Sequence, residues 1–125
     1  MNRYHEEIYI PNKLIELSKM LVKRPKTFTY HAQTHFDDLD RSHKVSKNLV
    51  FAALNNLQKN PVKPFEIYEE NGYVVKYCMR TKYNNNQDIS FVMTSNHIVT
   101  FWLNSLGDKH FTLDHSLYVG NPNGR

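Results

Sequence analysis

The sequence predicts an α+β domain in which two or three N-terminal helices pack on one face of a four- or five-stranded antiparallel sheet. Two observations carry this. Apolar residues recur at helical spacing up to Leu57 and then at period two from Phe65 onward. The switch falls at Pro61 and Pro64, which forbid any continuation of the preceding helix. At 125 residues the chain fits one domain with a core of its own. It divides into an N-terminal arm (1–10), a helical part (11–60), a sheet (65–119) and an expected mobile tail (120–125).

A first helix is expected after Pro11, capped by Asn12, with Leu14, Leu17 and Leu21 on one stripe and Ile15 and Val22 beside it. Pro25 ends it, and Lys23 and Arg24 suit the negative end of its dipole. Thr34 is placed as the cap of a short second helix, with Asp37 and Asp38 in its first turn and Phe36 and Leu39 inward. Ser46 caps the best-patterned helix, whose Leu49, Val50, Ala53, Leu54 and Leu57 share a face.

In the sheet, Phe65–Glu69 and Tyr73–Arg80 flank Asn71-Gly72, a strong hairpin signal because both residues tolerate positive φ. Asp88–Thr94 and Ile98–Asn104 flank a second turn at Ser95-Asn96-His97, and His110–Leu113 is a candidate fifth strand. Alternation then separates two faces. Tyr73, Val75, Tyr77, Met79, Ile89, Phe91, Met93, Val99, Phe101, Leu103, Phe111 and Leu113 make the side the helices cover. The other side holds Lys76, Cys78, Arg80, Ser90, Val92, Ile98, Thr100, Trp102, His110 and Thr112, a half-exposed face with cations and an aromatic ring.

Composition excludes several classes. The single cysteine, Cys78, rules out an internal disulfide framework and a cysteine-rich zinc site, and reads as strand packing. No run approaches the length of a membrane span, and residues 1–13 lack an apolar core for a signal peptide. The expectation is a soluble, cytoplasmic protein with no membrane partner. A net charge of +4 permits nucleic-acid binding without demanding it. Four glycines leave little room for a phosphate-binding loop.

Three of the seven histidines, His31, His35 and His43, fall between Tyr30 and Leu57. Imidazole suits proton transfer near neutral pH. RNA brings its own nucleophile in the 2′-OH, so its cleavage needs only a base, an acid and cations. His35 with His110, Lys76 and Arg80 would supply these without metal or cofactor, Trp102 would stack a base, and Thr112 lies on the same face. His31 and His35, four apart, also have metal-ligand spacing, but the glutamate of a zinc-hydrolase motif is absent because position 32 is Ala.

The run from His35 through Asp37-Asp38 to Arg41, then Val45, Leu49-Val50-Phe51 and Leu54, resembles the helical segment of the phage RegB-type endoribonucleases. These belong to the larger RelE/YoeB-like toxin group, which has helices packed on an antiparallel sheet. The resemblance implies a RelE-like fold and a metal-independent ribonuclease that cleaves mRNA, free or on the ribosome, leaving a cyclic phosphate. If the chain is phage-encoded, as that family is, its place is the host cytoplasm. The resemblance carries His35 onto the family's first catalytic histidine and places the family's cations at Lys76 and Arg80. The second catalytic histidine falls on Asn55, which cannot move a proton at neutral pH. His110, His31 or His43 must then take that role, or the fold persists without activity. The alternative is a non-catalytic module that captures or inhibits a protein partner through its aromatic sheet face or an edge strand.

Overall fold

The computed structural model describes residues 1–37 and 45–106. In chain order its elements are β1 (Asn2–His5), α1 (Asn12–Leu21), β2 (Thr27–Phe28), α2 (Tyr30–Asp37), α3 (Lys47–Lys59), β3 (Glu66–Glu70), β4 (Tyr73–Lys82), β5 (Gln87–Met93) and β6 (His97–Ser105). The described strands form one sheet of six, in the order β1-β3-β4-β5-β6-β2. This corrects the expected four or five. Two short strands join the edges, β1 antiparallel to β3 and β2 parallel to β6, so the sheet is mostly, not wholly, antiparallel. The expected strand at His110–Leu113 and the tail at 120–125 lie outside the described residues.

Local chemistry explains most boundaries. Ser46 Oγ accepts from the Leu49 amide at 3.3 Å and caps α3, as its sequence predicts. Asn71 and Gly72 have φ of 54° and 85°, the left-handed pair that the β3–β4 hairpin requires. Two helix starts differ from expectation. In α1 the cap position belongs to Pro11, whose carbonyl accepts from Leu14 and Ile15, and Asn12 is the first helical residue. In α2 the cap is Thr29, whose hydroxyl accepts from the Ala32 amide at 3.1 Å. Thr34 therefore lies inside α2, and Asp37 ends the helix instead of opening it.

The end of α1 is closed by a residue beyond it. Lys26 Nζ donates to the Leu21, Arg24 and Ser95 carbonyls at 2.6, 3.0 and 2.8 Å, joining the helix end to the β5–β6 turn. Burial, and secondarily Arg24, pushes its pKa down to about 8.

The three described helices all contribute to one core. Leu14, Ile15, Val22, Ala32, Val50, Ala53, Leu54 and Leu57 meet Ile67, Tyr77, Met79, Ile89, Phe91, Met93, Ile98 and Phe101 from a single sheet face. Two bulges change the predicted alternation. Between Val92 and Met93 the partner jumps from Thr100 to Ile98, leaving Val99 as the extra residue. Ile98 therefore joins the main core, while Val99 packs on the opposite face with Phe65, Cys78, Val92 and Trp102. A second shift at Tyr68/Glu69 skips Val75, and Val74 packs against the main core in its stead. No described helix is long and apolar enough to cross a membrane.

Candidate functional site

The site begins at Thr29, where the chain leaves β2. Its amide donates to the Ile98 carbonyl at 3.0 Å and its hydroxyl to the Val99 carbonyl at 2.9 Å. The same hydroxyl caps α2, so one side chain ties the helix start to the outer edge of β6. Ala32, one turn into the helix, is fully buried there. One turn apart on α2, His31 and His35 are thereby held beside β6.

Their rings lie 5.1 Å apart in an edge-on arrangement. His35 is half-buried, with Nε2 at 2.9 Å from Thr100 Oγ1 and its ring 5.1 Å from Phe101. Thr100 opposes Val92 on the face away from the helices, whereas Phe101 belongs to the main core. His35 thus straddles the edge of the sheet. His31 is exposed beside it. Which partner donates in the His35–Thr100 bond depends on the imidazole tautomer.

The other predicted residues stand apart from this pair. Lys76 Nζ sits 4.5 Å over the Tyr68 ring, towards β3. Arg80 Nε donates to Asp88 Oδ2 at 2.9 Å, and its side chain is only 10% exposed. Both belong to β4, separated from β6 by β5 and hence by about 10 Å across the sheet. The structure does not bring them onto one phosphate with His35. Trp102 Nε1 donates to Asn104 Oδ1 at 3.0 Å, and its ring meets Phe65 edge-on at 6.3 Å. His110, Thr112 and His43 lie outside the described residues.

The face opposite the helices is also less open than its alternation suggests. Ser90, Cys78, Glu66 and Asn104 along its middle are buried, Arg80 is nearly so, and the half-exposed positions include Lys76, Thr100 and Trp102. At its β3 side stands a cluster the sequence did not reveal. The Glu66 carboxylate accepts from Arg3, from Tyr68 Oη at 3.4 Å and from Cys78 Sγ at 4.0 Å. Cys78 is held protonated, its pKa pushed up first by burial and then by Glu66. Its thiol fills the sheet and is no nucleophile. Such a signal is invisible in one dimension, because Arg3 and Glu66 are 63 residues apart.

Asn55, the position to which the resemblance assigns a second histidine, is exposed on α3 and lines a cavity between α2, α3 and β2 whose lining does not include His35. Among the described residues no group of three or more His, Cys, Asp or Glu side chains could hold a metal ion. No protein-family model, curated protein or solved structure matches this chain. The functional reading therefore rests on geometry and on the sequence resemblance.

Proposed function

We propose that the protein is a metal-independent endoribonuclease acting on single-stranded RNA, with His31 and His35 as its proton-transfer pair. The observation that carries this reading is the 5.1 Å approach of two imidazoles, one exposed and one pinned to Thr100. His35, whose Nδ1 is buried, takes the proton at Nε2, exchanging its Thr100 bond for one to a ribose 2′-OH as that oxygen attacks the adjacent phosphorus. The P–O5′ bond breaks, and His31, entering the step protonated, gives its proton to the departing 5′-oxygen. The products are a 2′,3′-cyclic phosphate and a 5′-hydroxyl, and no other reactant is consumed. Thr100 positions His35 without touching substrate. Lys76 and Trp102, half-buried on the face that carries Thr100, bind flanking nucleotides, while Arg80 is committed to Asp88. The sequence resemblance to the phage RegB-type enzymes at His35 supports the same assignment.

The test is incubation of purified protein with a mixed single-stranded RNA pool in EDTA, alone and on programmed ribosomes. The reading predicts cleavage with cyclic-phosphate ends, slowed about 10²-fold or more in His31→Ala and in His35→Ala. Intact RNA in both settings, or cleavage untouched by either substitution, contradicts it.

A further inference from the structure

On α3, Lys47, Phe51, Asn55 and Gln58 recur at helical spacing and line one wall of the cavity closed by Phe28 and Phe36. Its volume is about 580 Å³. That is the size of small-ligand sites, too short for a docked helix. Phe51 is 44% exposed although it meets Phe28 edge-on at 5.3 Å and stacks on Phe36 at 6.0 Å, which leaves part of its ring uncovered. Lys47 Nζ hangs 5.5 Å from the Phe36 ring centre. The amides of Gln33 and Gln58 are spent on the Phe28 and Arg24 carbonyls, but the Asn55 side chain bonds to no described residue. Among the described residues no carboxylate lines it.

A cation, an uncovered aromatic plane and an unspent amide follow one another along about 12 Å of helix. These are the three kinds of group that hold a nucleotide of a single strand: phosphate by charge, base by stacking, base edge by hydrogen bonds. We propose that this cavity is a nucleotide subsite for single-stranded RNA, seating one base against Phe51, its edge at Asn55 and its phosphate at Lys47. The proposal rests on the RNA reading above and extends it. His35 and Phe36 are consecutive on α2, so one RNA chain passing the histidine pair crosses the helix to reach the cavity.

The experiment is a ¹⁵N NMR titration with a seven-nucleotide 2′-O-methyl RNA of mixed sequence, which binds without being cleaved. Shifts are expected at the Phe51, Asn55 and Gln58 amides and the Asn55 side chain. Affinity should fall about tenfold in Phe51→Ala and several-fold in Lys47→Glu, both at exposed positions that leave the fold intact. Shifts confined to the surroundings of His31 and His35 overturn the subsite while sparing the ribonuclease reading. Shifts at neither place overturn both. Uridine monophosphate binding the cavity as tightly as the oligonucleotide, or an acidic apolar peptide doing so where RNA does not, removes RNA as its occupant.

Discussion

On the β3 side of the sheet, Glu66 is closed in by Arg3, Tyr68 and Cys78; on the β6 side, an exposed His31 stands beside a half-buried His35. Both clusters bring titratable groups together, yet they differ in what is left over. The Glu66 carboxylate is buried and already has hydrogen-bonding neighbours, so engaging a substrate would cost it those interactions. In the histidine pair Thr100 anchors the inner ring, and the outer ring is open to solvent. Convergence of titratable groups does not by itself indicate chemistry. Availability distinguishes the two clusters.

The sharpest way to break that comparison is to remove each cluster and read rate and stability separately. His31→Ala or His35→Ala should lower the RNA cleavage rate by about 10²–10⁴-fold, the range for a lost acid or base, with little change in urea midpoint for His31. Glu66→Ala should do the reverse. It leaves the Arg3 guanidinium without its carboxylate and should cost about 2 kcal/mol in urea unfolding, less than a fully buried pair because Arg3 is half in solvent. Its kcat/KM per folded molecule should be unchanged. If Glu66→Ala abolished cleavage while folding normally, the two sides would have to exchange roles.

Thr100→Val sharpens the same contrast at smaller scale. It keeps the shape of β6 but deletes the hydroxyl that holds His35, so the rate should fall about tenfold, the worth of one hydrogen bond, with KM unchanged. A purely structural role for Thr100 would alter the unfolding midpoint and leave the rate alone.

The smallest expected effect lies in the core. The Tyr77 hydroxyl is buried without a hydrogen-bond partner among the described residues, and burial raises its pKa. Tyr77→Phe should therefore be neutral or stabilising by up to about 1 kcal/mol at pH 7. Because the folded phenol keeps its proton while the unfolded one ionises near 10.0, wild-type stability drops as pH rises above that value. The advantage of the Phe variant should widen there, as measured by urea unfolding at pH 8 and pH 10.5.

The sequence showed what local periodicity encodes and missed what partners decide. Helix α3, with its Ser46 cap and its Val50, Ala53, Leu54 and Leu57 face, was readable because cap and stripe lie within one turn of each other. The Asn71-Gly72 hairpin was readable for the same reason. Strands β1 and β2 were not. Asn2–His5 has no apolar alternation, and Thr27–Phe28 is two residues long, so only pairing with distant strands makes them strands. Val75 and Val99 misled the face assignment because a bulge adds one residue and reverses parity beyond it. In the candidate site, the approach of His31 to His35 follows from i, i+4 spacing on a helix, whereas the Thr100 anchor depends on where α2 meets β6.

The claim that both histidines serve one phosphate is tested most directly by a double-mutant cycle on cleavage rate. Groups acting as one unit lose nearly everything with the first removal. The account predicts that His31→Ala/His35→Ala is no slower than the worse single variant. Losses that multiply, or a double variant that still cleaves at the wild-type rate, would contradict it.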